Sequence, residues 1–391
     1  MGHEKSVVLL PSKTTRFTVS PQPLFCLNLD CASRGLIGAG NIRLHSGLEQ
    51  RFLCATCNTT FASTRGTLFY RLKHDPKIVV LVLALLAYGC PLQAIVRAFR
   101  FDERTVTNWQ KKAGEHCKAM HQHLVVNQPR DLGQVQADEI RAKLQKRLVL
   151  WMAMAIQVST RLWLGGVVSP SRDTNLIWRL ARMIRSQALE RPLLLMTDGL
   201  VTYINAWKRA FRNAVMTGQK GRPRLIPWLV VVIGQVVKRY EKKRVVGVDH
   251  RLIQGTKEQF EALSVAEQKM NTSYIERFNA TLRQHLCGLV RRGRCLLRRE
   301  AVLERGMYLI GCVYNFCTPH ESLRMQEAAG GHWVERTPAM AAGITQDIWS
   351  LSDLFWYRIP PPLYIAPKPK SNRGRPLGSK NKPKVAAEDA K

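Results

Sequence analysis

The chain has 391 residues, which is enough for two or three domains with a sizeable hydrophobic core. Its 60 Lys and Arg against 28 Asp and Glu give a formal net charge of +32, which favours a polyanionic partner, nucleic acid before an anionic membrane. The longest apolar runs, at 78–88 and 225–237, are shorter than the roughly 18–20 residues that span a bilayer, so we expect no membrane-spanning segment.

The N-terminal segment carries the clearest metal-binding pattern. Residues 1–20 are predicted to be a disordered arm, and residues 21–70, rich in Cys, Gly and Thr, a small β unit. No signal peptide is recognisable, so the cysteines are expected to be reduced and to favour metal ligation over disulfides. Four of them fall into two pairs in this segment: Cys26 with Cys31, and Cys54 with Cys57. This pattern predicts a zinc ribbon with four thiolate ligands; the alternative is four unrelated buried cysteines.

Three helices are predicted within residues 71–128. They follow Asp75, Pro91 and Asp102, since Asp is favoured as an N-cap and Pro at the start of a helix. The short turn before the third helix, which we expect to reach Lys112, is typical of a helix-turn-helix. If the third helix enters a major groove, its candidate DNA contacts are Arg104, Thr105, Thr107, Asn108, Lys111 and Lys112. Val106 and Trp109 would then pack inward. The alternative is a polar face on a structural bundle.

A second group of metal-type ligands follows on the same helix. It comprises His116, Cys117, His121 and His123. The neighbouring residues are mostly polar, so we interpret this group as a solvated helix end rather than a metal site.

Residues 129–325 are predicted to form an α/β domain with a mixed sheet. The predicted strands are 134–140, 148–158, 161–169 and 192–197, and the predicted helices are 173–190, 201–215, a segment near 258 and 273–290. Residues 217–265 are basic and are interpreted as an insertion that contains two further strand-like stretches, 228–238 and 243–252.

Three acids occupy positions that suit phosphodiester chemistry, in which carboxylates hold a pair of divalent cations. Asp138 lies in the first predicted strand and Asp198 ends the fourth, so adjacent strands would place them side by side. Glu276 opens a late helix that could lie across the sheet.

Each acid also has a structural interpretation. Asp138 could be a solvated strand residue, although its neighbour Glu139 suits that role better because alternate residues face opposite ways. Asp198 could cap the next helix, and Glu276 could form a capping box with Ser273. Rival third acids are Asp173, which resembles a helix N-cap, Asp249 and Glu300.

Basic segments follow the last predicted helix. One of them contributes Arg291, Arg292, Arg294, Arg298 and Arg299, which are expected to hold phosphates near the acids. Residues 326–365 form a C-terminal extension, and the tail 366–391 is predicted to be disordered. In that tail Arg373-Gly-Arg375-Pro resembles an AT-hook, which places arginines in a narrow minor groove; its Gly-Arg-Pro core recurs at 221–223.

Several segments together resemble the DDE transposases of bacterial insertion sequences that carry an N-terminal zinc ribbon and helix-turn-helix. The resembling segments are Phe52–Phe61, Ala137–Glu139, Thr197–Gly199, Ser273–Asn279 with the downstream Arg283, and Tyr314–Leu323. The resemblance implies an RNase H-like catalytic domain, Mg²⁺ or Mn²⁺ at Asp138, Asp198 and Glu276, and DNA contact by Arg283. It also implies a homo-oligomer on double-stranded DNA in the nucleoid of a prokaryotic cytoplasm.

The sequence therefore predicts a transposase that binds element ends, cleaves phosphodiesters and joins the 3′-OH ends to target DNA. Two alternatives stay open. One is a catalytically inactive DNA-binding regulator derived from a transposase, and the other is a structure-selective nuclease of the same fold.

Overall fold

The computed structural model describes residues 23–145, 148–216, 218, 221–242, 244–265, 270–290, 299–326 and 331–361. These fall into two compact units, Pro23–Ser63 with residues 360–361, and Thr64–Ile359. The predicted arm and tail lie outside the described residues, as do Arg291, Arg292, Arg294, Arg298, Arg373 and Arg375. No helix in the described part of the chain is both long and apolar enough to cross a membrane.

The first unit is built on a three-stranded antiparallel sheet in the order β1-β2-β3. Its strands are β1 (Ile42–Ser46), β2 (Arg51–Cys54) and β3 (Thr60–Ala62). Phe52 and Phe61, which are paired across β2 and β3, pack with ring centroids 6.1 Å apart. This aromatic pair and the buried cysteines provide most of the small core.

The second unit begins with the three predicted helices: α1 (Pro76–Ala87), α2 (Leu92–Phe99) and α3 (Glu103–His121). Asp75 caps α1 by accepting the Lys77 N–H, and Asp102 caps α3 by accepting the N–H groups of Arg104 and Thr105. The predicted helix starts are confirmed. However, α3 continues well past Lys112 and leads into a π-helical turn at Gln122–Val126.

A six-stranded sheet in the order β11-β10-β7-β4-β5-β6 forms the centre of this unit. Its strands are β4 (Gln134–Lys143), β5 (Val149–Gln157), β6 (Trp163–Ser169), β7 (Leu193–Asp198), β10 (Val231–Glu241) and β11 (Arg244–Gln254). Strands β8 (Arg212–Val215) and β9 (Arg224–Pro227), which lie between β7 and β10 in the chain, belong to a separate sheet. Strand β7 pairs in parallel with both β4 and β10, whereas the other pairings are antiparallel. The predicted mixed sheet is therefore confirmed.

Further helices of this unit lie between and after these strands. They are α4 (Thr174–Gln187), α5 (Val201–Ala210), α6 (Lys257–Leu263), α7 (Ser273–His285), α8 (Glu300–Cys312), α9 (Pro338–Ala341) and α10 (Leu351–Trp356). A short ribbon, β12 (Met325–Gln326) and β13 (Trp333–Val334), precedes α9.

Residues 217–265, interpreted from the sequence as an insertion, contain two strands of the central sheet. Strand β10 pairs with β7 from Val231 opposite Leu193 to Val236 opposite Asp198. The first six residues of β10 are buried, and its last four are exposed. The charged residues at the end of β10 are typical of an exposed insertion, although the apolar first half of the strand belongs to the core. The smaller β8-β9 hairpin forms a separate two-stranded sheet, and its connecting loop carries the exposed residues 221–223.

The end of α3 is buried in the core, not solvated as the sequence suggested. Helix α3 packs along α8, where a Cβ atom added at Gly114 would collide with the backbone of Arg305. His121 is fully buried, with its ring 4.5 Å from that of Trp163 and its Nε2 3.1 Å from the Leu164 carbonyl oxygen. The solvated-end interpretation is wrong because the covering helix α8 comes almost two hundred residues later in the chain.

We expect His121 to make stability fall with acidity. Burial lowers its pKa to about 4, against an ordinary value of 6.5. Between these values the unfolded chain binds a proton that the folded chain does not, so stability is lost as the pH falls from 6.5 toward 4. Urea titrations measure the free energy of unfolding at each pH. In His121→Gln this free energy should fall less steeply as the pH decreases from 6.5 toward 4, with a slope smaller than that of the parent by about 1.4 kcal/mol per pH unit.

His332→Gln is the control for this measurement because the His332 side chain is exposed. It should keep the pH dependence of the parent. An unchanged slope in His121→Gln would contradict the assignment.

Candidate functional site

Two aspartates lie side by side on adjacent parallel strands. Ala137 of β4 pairs with Thr197 of β7, and the next residue on each strand is Asp138 or Asp198. Carboxylate oxygens of Asp138, Glu139 and Asp198 all lie within 4.8 Å of one another. Strand order alone therefore brings two of the predicted site acids together.

Asp138 is held by a side chain from α7. Its Oδ2 accepts a 2.8 Å hydrogen bond from Asn279 Nδ2, and its Oδ1 accepts the Glu139 N–H at 2.8 Å. Burial raises the pKa of Asp138, the charges of Asp198 and Glu276 raise it further, and nearby Arg283 opposes them. This arrangement fixes the Asp138 carboxylate amid like charges.

Asn279 ends the segment Ser273–Asn279 that resembles the transposases, where no role was predicted for it. It follows Glu276 by three residues, so the two lie about one turn apart on the same face of α7. That spacing is the signal that could have identified Asn279 as the residue positioning Asp138.

Asp198 has two sets of partners. Its Oδ1 accepts the Leu200 N–H at 3.1 Å, but Leu200 is itself the N-cap residue of α5 and has no side-chain capping bond, so the interpretation of Asp198 as a helix cap does not hold. Its Oδ2 lies 3.4 Å from Arg172 Nη2, and its carbonyl oxygen accepts from Gln235 on β10. These contacts hold Asp198 at the end of β7, within the acid cluster.

Glu276 reaches the same cavity from α7. Its Oε1 accepts from Lys238 Nζ at 2.8 Å and from the Thr272 hydroxyl at 3.1 Å. The Ser273 hydroxyl donates instead to Asn271 Oδ1, so the structural interpretation of Glu276 as the partner of Ser273 in a capping box does not hold. An open cavity of about 470 Å³ is lined by Asp138, Asp198 and Glu276 together with Arg172 and Lys238.

A buried glutamine on β4 sets the position of α7. Gln136 Oε1 accepts the N–H groups of Tyr274 and Ile275 at 3.0 and 3.1 Å, and its Nε2 donates to the Asn271 carbonyl at 2.8 Å. These bonds satisfy N–H groups that have no partner within the helix. They attach the beginning of α7, and with it Glu276, to the strand that carries Asp138.

Glu139 is buried, and its interpretation as a solvated strand residue is wrong. Its side chain is 1% exposed and accepts from Arg172 Nη2 at 2.8 Å, beside the hydroxyl of Tyr203 on α5. Burial and the charge of Asp198 raise the pKa of Glu139, and Arg172 opposes them. Asp138 and Glu139 face opposite ways, as alternation along a strand predicted. Both faces of β4 are covered, however, so Glu139 is buried rather than solvated.

The rival acids lie elsewhere. Asp173 caps α4 by accepting the Leu176 N–H at 2.9 Å, as its sequence context predicted. Asp249 on β11 pairs with Arg239 at 3.2 Å, and Glu300 lies in the first turn of α8. In the described part of the chain, none of the three lines the cavity that contains Asp138.

The four N-terminal cysteines converge on one point. The sulfur of Cys26 lies 3.7 Å from that of Cys57, and the sulfurs of Cys31 and Cys54 are 3.8 Å apart. Four thiolates around one ion with metal–sulfur bonds of about 2.3 Å would have sulfurs about 3.8 Å apart. The cluster can therefore hold a metal ion, and the alternative of four unrelated cysteines is disfavoured.

The electrostatics of this cluster favour thiolates at one side. Burial raises the pKa of Cys26 and of Cys31. Burial also acts on Cys57, but hydrogen bonds with Thr59 and Asn28 outweigh it and lower the pKa of that thiol to about 6. A cation at the centre would stabilise all four in the deprotonated form.

Helix α3 presents a polar, solvent-exposed face. Its exposed residues in the first three turns include Arg104, Thr107, Asn108 and Lys111, whereas Val106 and Trp109 are buried as predicted. Thr105 is half-buried, and Lys112 donates to the Tyr70 carbonyl oxygen at 3.0 Å. Arg299, the described member of the basic segment, lies exposed at the start of α8.

Comparisons with known proteins give little. No protein-family model matches the chain, and no curated protein matches its sequence. Among solved structures, the chain is similar to the piggyBac transposase in its cryo-EM synaptic complex with hairpin DNA, at 9% identity and a TM-score of 0.29. The match covers 60% of this chain and spans 63% of that chain, and a TM-score this low does not establish a common fold.

We expect Cys54→Ser to lose one bound metal ion per chain, because three thiolates leave the tetrahedral set incomplete. Elemental analysis of the purified protein measures this. Cys90→Ser is the matched control, since Cys90 lies outside the cluster and should retain the full metal content. Equal metal content in both variants would exclude the four-cysteine site.

Proposed function

We propose that this protein is a DNA transposase that cleaves phosphodiesters at element ends and joins the 3′-OH ends to target DNA. The observation that carries the proposal is that Asp138, Asp198 and Glu276 line one and the same open cavity in a chain of net charge +32. Mg²⁺ or Mn²⁺ would be held by these acids on an RNase H-like domain, and Zn²⁺ by the four N-terminal cysteines.

The carboxylates suit divalent cations. Asp138 has a raised pKa partly because Asp198 and Glu276 are close, and a cation between these groups relieves their repulsion. Bound divalent ions supply an activated nucleophile and stabilise the leaving oxygen. Asn279 keeps Asp138 oriented, and Gln136 keeps α7 at the edge of the cavity. Arg283, close enough to influence Asp138, would contact the phosphate that enters the cavity.

DNA binding would use the exposed face of α3, with Arg104, Asn108 and Lys111 directed to a major groove. The cysteine unit and this helix would recognise the element ends. Arg299 and the basic segments outside the described residues would hold phosphates. A homo-oligomer on DNA in a prokaryotic nucleoid would supply an active site to each end.

One observation favours a second candidate, a catalytically inactive DNA-binding regulator. Lys238 and Arg172 already form ion pairs with Glu276 and Asp198, which lets the acid cluster persist without metal. A regulator would bind the element ends and leave them uncut. A structure-selective nuclease would cut without joining.

Substitution of the acids tests the proposal. Asp138→Asn, Asp198→Asn and Glu276→Gln should each lower Mg²⁺-dependent cleavage and joining by about a thousandfold, since each removes a charge that holds the ions. The substrate is a labelled duplex carrying the DNA that flanks the coding sequence, mixed with a target plasmid. Asp249→Asn and Glu300→Gln, at acids outside the cavity, should retain parental activity.

The activity of the parent protein then distinguishes the three candidate functions. Cleavage with joining supports a transposase, and cleavage without joining supports a nuclease. Tight binding of the ends without cleavage supports the regulator and contradicts the transposase.

The face of α3 yields a separate expectation. Lys111→Gln should weaken binding of the element ends by about threefold to tenfold and lower the salt dependence of binding by about one charge. Lys118→Gln, in the same helix, removes a cation that is paired with Glu304 at 2.8 Å and should have a smaller effect. Gel-shift titrations at several salt concentrations measure both, and equal effects would argue against binding through this face.

A further inference from the structure

Two basic side chains lie among the acids of the cavity. Arg172, which precedes α4, is within 2.8 Å of Glu139 and 3.4 Å of Asp198. Lys238, on β10, is 2.8 Å from Glu276. Basic side chains and metal ions compete for the same carboxylates. Binding of a divalent ion therefore has to preserve or break the ion pairs that these two residues form.

Arg172 is fixed in place. It is bound to two acids, one of them buried, and its guanidinium carbon lies 5.0 Å from the centre of the Trp151 ring. Removing it would leave the Glu139 carboxylate buried without a countercharge, which is strongly destabilising. We therefore interpret Arg172 as a structural partner of Glu139.

Lys238 is held differently. Its side chain is 41% exposed and forms an ion pair with Glu276 alone among the acids of the described residues. It lies where β10 leaves the core, since Val236 is buried and the residues from Arg239 onward are exposed. Exposed ion pairs of this kind are weak, so the ammonium group can leave Glu276 at little cost.

Binding of a divalent ion would displace the Lys238 ammonium group from Glu276. The Glu276 Oε1 that accepts from Lys238 also accepts from Thr272, and it faces the cavity shared with Asp138 and Asp198. A divalent ion at this oxygen repels the ammonium group. Rotation about the flexible lysine stem then keeps the charge at the mouth of the same cavity, where a phosphodiester has to lie.

We propose that Lys238 is a phosphate-binding residue held in reserve by Glu276 and released to the DNA backbone when divalent ions bind the acids. This inference rests on the proposed function of the cavity. It makes metal and DNA binding mutually favourable, since metal frees a cation that DNA can use.

The chain offers a matched control in the next residue. Arg239 lies on the other face of β10, where it pairs with Asp249 at 3.2 Å with its side chain 65% exposed. Lys238→Gln and Arg239→Gln remove the same charge from neighbouring positions of one strand. Only the first removes a competitor of metal.

The first measurement is Mn²⁺ binding to the full chain without DNA, taken as the component that Asp198→Asn loses. We expect Lys238→Gln to bind Mn²⁺ about fivefold more tightly, because a neighbouring positive charge and a competitor for Glu276 are gone. Arg239→Gln should stay within about twofold of the parent. Unchanged affinity in Lys238→Gln would mean that Glu276 binds metal with its other oxygen, which overturns the proposal.

The second measurement is DNA affinity in EDTA and in Ca²⁺, an ion that prefers oxygen ligands. Lys238→Gln should match the parent in EDTA and bind about tenfold more weakly in Ca²⁺. Arg239→Gln should show the same ratio to the parent in both. An equal loss for Lys238→Gln in both solutions would show permanent contact rather than release.

These outcomes separate the two proposals. If the parent binds no Mn²⁺ that depends on Asp198, both the proposed function and the role of Lys238 are wrong. If the parent cleaves and joins DNA but Lys238→Gln binds Mn²⁺ and DNA as the parent does, only the role of Lys238 is wrong.

Discussion

Strand β4 organises the acid cavity through three different interactions. It carries Asp138 directly, and its parallel pairing with β7 places Asp198 beside that residue. Its buried Gln136 binds the first turn of α7 and so determines where Glu276 lies. One strand therefore fixes three acids that lie up to 138 positions apart, from Asp138 to Glu276. The side chain of Gln136 bridges this distance by bonding across 135 residues to Asn271. Loss of the Gln136 side chain would remove one hydrogen-bonded attachment of α7 to β4 and leave another, the bond from Asn279 to Asp138, without changing any acid.

Gathering carboxylates in this way is costly, and the surrounding residues show how the cost is met. Burial and mutual repulsion raise the pKa of both Asp138 and Glu139. Arg172 compensates the buried Glu139, and Lys238 compensates the more exposed Glu276. Clusters of perturbed acids in a cavity are characteristic of functional sites. Arg172 therefore supports the acids permanently, whereas Lys238 exchanges with metal.

The sequence predicts features that depend on local chemistry or strand order. The caps Asp75 and Asp102 identify where α1 and α3 begin, and apolar runs identify the strands that bring Asp138 and Asp198 together. It does not predict features that depend on distant partners. The burial of His121 requires α8, and the burial of Glu139 requires covering of both faces of β4. Charge at the end of β10 similarly concealed its place in the sheet.

The cysteine unit follows a different stability principle from the sheet. Its core contains a few aromatic side chains and a cluster made largely of Cys26, Cys31 and Cys54. A unit this small buries too little apolar surface to offset the entropy lost on folding. Four converging thiols instead allow a metal ion to serve as the centre of the core, and metal binding then becomes folding free energy. Because the ligands come from both ends of the segment, metal and the β1-β2-β3 sheet are expected to form together.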